Sequence, residues 1–421
     1  MYSLQSGNRQ HIIDFPEHAE VEILKAEGLP ALADLKAALA AAFNNPVFDS
    51  GFRGTFPSRA VSGRVAFVVT ETVTPEVLEV ALPIILERLF QANADLKPSA
   101  VTIIVGDWLK RSNRADRFKK LFQTVNASGC RVIVHDPILQ TMVEMGVTNR
   151  GTPVRVNSEL ANADLKIVLD RIKPCPLFGF VESPLRLARC CMSIDSIESL
   201  EAMVLPSAGE NCRLDRHPVF DEIREIIHMV GIDGGVAGIS SPTGETIRIV
   251  AGEPSMIIRQ AASLYRRHYR ISVSTPFDIA VVGFGPQRTD PFLELVQSGL
   301  LAAAQVLVDG GHVLIVGDDT RGVGTDIFFD YICHSLSPAA LIDGFIKLRN
   351  QAGAGGLKQS NQQAAAADRS LEKIFGMEVI RRCQFRAADP SAVLAEWADE
   401  YEDRIRIAVI PEGHGSFFYP D

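Results

Sequence analysis

The sequence predicts a two-domain α/β protein, with mostly parallel sheets, helices on both faces of them and a cleft between the domains. Three observations carry this. At 421 residues the chain is too long for one ordinary hydrophobic core. Short unbroken apolar runs recur: RVAFVVT from Arg64, VTIIV from Val101, LKIVL from Leu165 and DIAVV from Asp278. Strands buried on both faces read this way. Stretches with helical spacing separate the runs, which is the βαβ alternation of a parallel sheet.

In chain order, His11 to Phe15 and Ala19 to Leu24 alternate like strands of a small opening β unit. Leu32 to Phe43 is a helix, with Pro30 near its start. Strand Arg64 to Thr70 leads to a helix over Pro75 to Ala92, whose first-turn proline lacks only an N–H that this turn leaves unbonded anyway. Strand Val101 to Val105, helix Ala115 to Asn126 and strand Arg131 to His135 follow. Strand Val154 to Val156 and helix Ser158 to Asn162 lead into the most informative stretch, Ala163 to Glu201. It reads as a buried strand (Leu165 to Leu169), a proline-punctuated loop (Lys173 to Pro184) and an amphipathic helix. A loop leaving the carboxyl end of a buried strand is where α/β proteins place ligands.

Helix Pro218 to Met229, the segment Gly234 to Ala251 and helix Glu253 to Tyr269 complete a first domain, placed at residues 1–270. Asp278 to Val282 restarts the alternation. Helix Pro291 to Leu307, a turn at Asp309-Gly310-Gly311, strand His312 to Gly317 and a final strand Ile405 to Pro411 make a second α/β domain, placed at 275–421. Gly353 to Ala367, rich in Gly, Gln and Ala, reads as a loop or a fraying helix start.

Composition narrows the function classes. Hydrophobic content of 47% with 22% charged residues is that of a globular protein rather than a disordered one. No apolar run reaches the roughly 18 residues of a membrane helix, and MYSLQSGNRQHIIDF lacks a basic region followed by an apolar one, so a cytoplasmic protein is expected. Seven cysteines with no CxxC pair or zinc spacing read as free thiols in a reducing compartment. A net charge of −9 disfavours nucleic acid and anionic membrane as partners. The local run KRSNRADRFKK from Lys110 reads as a solvated helix face.

Several segments, in order over nearly the whole chain, resemble the nickel-dependent lactate racemase family. They are His135-Asp136, TNRGTPVRVN from Thr148, Ala163 to Val168 with Lys173 to Phe180, HPVFDEI from His217, AGEP from Ala251 and VDGGHVLIV from Val308. The resemblance implies a nickel ion in a pyridinium pincer cofactor, tethered through a thioamide to a lysine. It accepts a hydride from the α-carbon of a 2-hydroxy acid, while two histidines exchange protons with the hydroxyl and a third ligates nickel.

Carried over by position, the resemblance implies a site whose reactive groups are replaced. Glu71, Val73, Thr74 and Pro75 stand in the family's Asp-x-Thr-Arg-Pro turn, so Thr74 replaces the arginine that grips the substrate carboxylate. The two catalytic histidines fall on Lys110 and Cys175. Leu185 stands where the cofactor lysine belongs, and Glu201 where the nickel-ligating histidine belongs. The Tyr, Gln and Lys substrate contacts fall on Glu294, Leu295 and Ser298. Leucine has no amine to form a thioamide, and a soft pincer nickel prefers imidazole to a carboxylate such as Glu201. No bound cofactor is therefore expected.

The remaining candidates have two readings each. Cys175, between two prolines, is a proton carrier or a buried structural thiol, and Cys190-Cys191 reads as helix packing. His135 orients a base and Asp136 lines a cleft, or the pair caps the next element. Asp107 and Lys110 follow strand Val101 to Val105 at its carboxyl end, a catalytic position. Arg150 and Arg186 contact an anionic ligand or make surface ion pairs. Gly283-Phe284-Gly285 is a fragment of a dinucleotide fingerprint and reads as a plain strand-to-helix turn. Asp318-Asp319 holds magnesium or caps a turn.

Three functions follow. The chain is a racemase or epimerase of 2-hydroxy acids with altered catalytic groups. Or it is a cofactor-free protein that binds small carboxylates, as a homo-oligomer or beside an active homologue. Or it is a lyase or hydrolase on the same scaffold, using Asp107, Lys110, Cys175 and Glu201.

Overall fold

The computed structural model describes residues 1–7, 9–48, 61, 63–70, 73–106, 129–174, 179–180, 182–204, 214, 217–285, 292–317, 389–401, 404–413 and 415–420. At 75, 182, 201, 204, 292–297, 417 and 419–420 it describes the backbone alone.

Two parallel sheets organise these residues. The first has six strands: β4 (Val65–Val69), β5 (Val101–Gly106), β6 (Arg131–His135), β9 (Leu165–Ile172), β10 (Gly234–Ser240) and β11 (Thr246–Gly252), in the order β11-β10-β9-β4-β5-β6. Only β10–β11 is antiparallel. Every residue of β4, β5 and β10 is buried, the cause of their unbroken apolar runs.

Helices cover both faces. One face of the first sheet packs on α1 (Leu35–Asn44) and α2 (Pro75–Ala92) through Phe43, Leu82, Ile85 and Leu89. The other packs on α4 (Glu182–Cys191), α5 (Ile194–Val204), α6 (Pro218–Val230) and α7 (Pro254–His268). The short α3 (Ser158–Ala161) precedes β9. Helix α2 starts where the sequence places it, because Thr74 caps it and Pro75 fixes the backbone of its first turn. Helix α6 stops at Gly231, whose φ of 71° is the left-handed conformation that closes a helix.

The second sheet corrects the expected opening unit. Its order is β14-β13-β15-β3, all parallel, from β3 (Ala19–Ile23), β13 (Phe277–Val282), β14 (Leu307–Ile315) and β15 (Ile405–Ile410). Residues 19–23 thus pair with the far end of the chain rather than with residues 11–15. The latter pair instead, as β2 (Arg9–Ile13), with β1 (Tyr2–Ser6), a strand absent from the sequence reading. Sheet membership therefore crosses the 1–270 and 275–421 division. Leu4 and Ile13 of that hairpin pack with Val281, Val409 and Leu394 of α9 (Pro390–Ala398). The opposite face of the second sheet packs on Ala302 and Ala303 of α8 (Phe292–Ala304).

Two further expectations change. Asp309-Gly310-Gly311 is a bulge inside β14, not a turn before it: Phe277 pairs with Leu307 while Ile279 pairs with His312, and Gly310 takes a φ of 81°. Strand β8 (Pro153–Asn157) lies outside the main sheet, in an antiparallel pair with β7 (Met142–Val147). A last parallel pair joins β12 (Arg270–Val273) to β16 (Phe417–Pro420). Among the described residues no helix is long and apolar enough to cross a membrane.

Candidate functional site

Strand order locates the site. From β4 the chain moves through β5 and β6 on one side, then returns with β9 on the other side of β4. The carboxyl ends of β4 and β9 thus flank the point where strand order reverses, where open α/β sheets hold their ligands. Val69 and Leu169 are in register there, so Thr70 and Asp170 come side by side at the mouth.

Asp170 is the centre of what is found. Thr70 Oγ1 donates to its Oδ1 at 2.5 Å, the Arg171 N–H donates to the same oxygen at 2.8 Å, and Ser183 Oγ donates to Oδ2. Ser183 arrives from the first turn of α4. Arg186, one turn further along the helix and 5% exposed, lends its charge to the carboxyl and donates from Nη2 to Lys173 O at 3.4 Å. Burial pushes the Asp170 carboxyl up, and Arg186, Ser183, Thr70 and the Arg171 N–H only partly offset it. A small cavity of about 20 Å³ lies beneath, lined by Asp170, Ser183, Val168, Leu187 and Ile257. It has room for about one water.

A second polar knot borders the first. Arg171 donates from Nε to Ser240 Oγ at 2.6 Å and from Nη2 to Gly244 O at 3.0 Å, gripping the turn between β10 and β11. In that turn Ser241 and Thr243 hydroxyls donate to the Glu245 carboxylate. Burial works against this carboxylate. The two hydroxyls, its own N–H and the Lys173 charge nevertheless hold it below the ordinary glutamate range. The same turn meets the second sheet: a side chain on Gly415 would stand 2.7 Å from Pro242 Cα. The carboxyl ends of both sheets therefore converge here.

The sequence candidates fall in different places. His135 is fully buried; its Nε2–H donates to Met192 O at 2.9 Å, and its Nδ1 accepts from Asn157 Nδ2 at 3.1 Å. A carbonyl only accepts, so this fixes the neutral tautomer with the proton on Nε2. Such a ring holds α4 to β8 and is not poised to exchange protons with a ligand. Asp136 caps its turn, accepting from Ile138 N and Leu139 N at 2.9 and 3.0 Å. Thr74 caps α2, accepting from Val77 N at 3.4 Å. Arg150 is half exposed and lies 3.7 Å from both the exposed Asp221 and the buried Glu222, pairing with acids of its own chain. Ser298 is half buried on α8.

Leu185 is 1% exposed and packs in the core between α4 and the sheet. Glu71, Asp107, Lys110 and Cys175 lie outside the described residues, as do helix 115–126 and the Asp318-Asp319 pair. So do the side chains of Glu201, Glu294 and Leu295. Cys190 and Cys191 are buried free thiols, and burial raises the Cys191 pKa. The Gly283-Phe284-Gly285 turn has no amide to offer a phosphate at its glycines: Gly283 N donates to Ile410 O and Gly285 N to Gln5 O. Thr70, Asp170 and Ser183 were not singled out in the sequence. The available signal was an acid closing the apolar strand LKIVLDRI, where the strand was read as ending at Leu169.

Known proteins share this fold. The family model of the lactate racemase N-terminal domain matches residues 6–182. Residues 6–182 are thus similar to the lactate racemase N-terminal domain. The structure of the lactate racemase apoprotein from Thermoanaerobacterium thermosaccharolyticum superposes with a TM-score of 0.74 at 14% identity, covering 99% of each chain. A structural-genomics protein from Thermotoga maritima gives 0.52 at 12% identity, covering 92% of this chain and 97% of its own. No curated protein matches. The lactate-racemase-like fold is thus present from end to end.

The cofactor that the resemblance implies does not fit at Leu185. Its side chain has no nitrogen to acylate and is packed in the core. Among the described residues no three His, Cys, Asp or Glu side chains gather to hold a metal ion.

Proposed function

We propose that this lactate-racemase-like chain has given up the tethered nickel pincer and binds a small carboxylate or 2-hydroxy acid at the crevice between β4 and β9. It does so alone, as a homo-oligomer, or as the partner subunit of an active homologue. The observation that carries the reading is Leu185, a core leucine at the position that resembles the cofactor lysine. The polar groups at the crevice support it, since hydroxyls and cations around a strand-end mouth suit a carboxylate better than an apolar ligand. Racemisation by hydride transfer is not expected, because Leu185 offers no anchor for the hydride acceptor at the position that resembles the cofactor lysine. A cytosolic setting fits the free thiols Cys130, Cys190 and Cys191.

The test is co-expression with the enzymes that make the pincer cofactor, followed by intact mass and nickel analysis of the purified protein. The expected result is the unmodified chain mass with no stoichiometric nickel. A mass increase with one nickel per chain overturns the proposal.

A further inference from the structure

Independently of the crevice, we propose that a second pocket, at the opposite end of the first sheet, takes a small phosphomonoester. The pocket has a volume of about 480 Å³, inside the range of about 300–1,000 Å³ that small-molecule sites occupy. It opens where β4, β5 and β6 begin. The 5 residues of β4 separate Arg64 on its rim from Thr70 at the crevice, about 17 Å of strand. The two places are therefore distinct.

Thr102 marks the pocket as a site. It interrupts the apolar run VTIIV and is only 3% exposed, on the face of β5 that carries Ile104. Among the described residues none bonds to its hydroxyl, and the residue lines the pocket between its register neighbours Ala66 and Arg131. A buried hydroxyl is costly unless something enters to meet it. Arg131 forms a wall already fixed in place: its Nη1 and Nη2 donate to the Glu159 carboxylate at 3.2 and 3.1 Å. That pair cancels its own charge. Arg64 and Lys97 differ, because among the described residues neither side chain has an ion-pair or hydrogen-bond partner. A phosphomonoester carries a charge of about −1.5 to −2 at pH 7, so it matches two cations where a carboxylate matches one. Asp95, the other acid of the lining, is likewise unpartnered among the described residues and suits a hydroxyl of the same ligand. Bare phosphate would leave most of the volume unfilled, so the phosphoryl group belongs on a small polyol or hydroxy acid.

The experiment is thermal shift and calorimetry on the full chain at constant ionic strength, with glycerol 3-phosphate as the probe and glycerol as the uncharged control. Wild type is expected to bind glycerol 3-phosphate and not glycerol. Arg64→Met and Lys97→Met are each expected to weaken binding about tenfold or more. Thr102→Val is expected to weaken it about threefold or more, while the ligand-free variant melts no lower than wild type, since its hydroxyl had no partner to lose. Circular dichroism establishes that each variant is folded. Excess lactate is expected to leave the affinity unchanged, because the crevice lies at the other end of the strands. A wild type that takes no glycerol 3-phosphate overturns the proposal, and so does binding that Arg64→Met and Lys97→Met both retain in full. Displacement by lactate moves the ligand to the crevice and overturns it as well. A Thr102→Val chain that melts lower and keeps its affinity makes the threonine structural and removes it from the site.

Discussion

Thr70 Oγ1 donates to Asp170 Oδ1 at 2.5 Å across the boundary between β4 and β9. That single bond spans the place where strand order reverses, and it joins two residues 100 positions apart in the chain. An acid this buried has to be satisfied by the groups around it. Removing its donors or the acid itself is therefore costly. Ser183→Ala is expected to lose about 1–3 kcal/mol, the cost of leaving a buried acceptor short of a partner. Asp170→Ala removes the acceptor that two hydroxyls share and the carboxyl that faces Arg186, and about 3–5 kcal/mol is expected. Urea unfolding midpoints check both, and an Asp170→Ala variant as stable as wild type would contradict this account.

Two acids near the crevice titrate in opposite senses. The folded-state pKa of Asp170 is raised, so its contribution to stability is fully present below its ordinary value and is lost as pH rises through the folded one. That of Glu245 is lowered, so its contribution is present above its ordinary value and is lost as pH falls through the folded one. Melting temperature measured against pH should therefore show the advantage of wild type over Asp170→Asn shrinking as pH rises. The advantage over Glu245→Gln should shrink as pH falls.

Restoring a lysine at 185 is not expected to restore a cofactor. Leu185→Lys places an amine among Ala188, Phe180 and the other core side chains, where its charged form is disfavoured. Its folded pKa is depressed below the free value, so the variant is expected to be several kcal/mol less stable at neutral pH and to recover as pH approaches about 10. A Leu185→Lys protein of wild-type stability at pH 7 would show that this position opens to water.

His135 is expected to matter for stability and not for ligand binding. His135→Ala removes the partners of Met192 O and Asn157 in a buried site, and about 2–3 kcal/mol should be lost. Lactate affinity measured below the melting temperature should be unchanged. A selective loss of affinity would return His135 to the site.

The contact between the two sheets is also open to test. Gly415→Ala puts a methyl 2.7 Å from Pro242 backbone, which cannot give way like a flexible side chain. A loss of about 1–3 kcal/mol is expected, read as earlier exchange of the amides around Pro242 and Glu412 in hydrogen–deuterium measurements.

Much of this was legible in the residues themselves. Helix α2 and strand β6 were read to the residue, because Thr74-Pro75 and the run RVIVH are local signals. The second sheet was not, because Ala19–Ile23 and Ile405–Ile410 meet only in space and neither stretch names its partner. Leu185 was legible as a missing amine, while its burial was not. Asp170 was overlooked because an acid at the end of an apolar strand reads as the strand's boundary. It is in fact a member of the strand, made tolerable by hydroxyls from β4 and α4, and no spacing rule connects those residues.

The place of β15 between β13 and β3 bears on how the molecule is made. Ala19–Ile23 leaves the ribosome long before Ile405–Ile410, its one strand partner among the described residues. Until then its backbone donors and acceptors are open to strangers, and Val21 and Ile23 add apolar bait. The first sheet, whose strands all lie between Val65 and Gly252, can close in the meantime. Synthesis would thus yield one finished half and one waiting for its last piece, a situation in which a chaperone's grip on the early segment would be most useful.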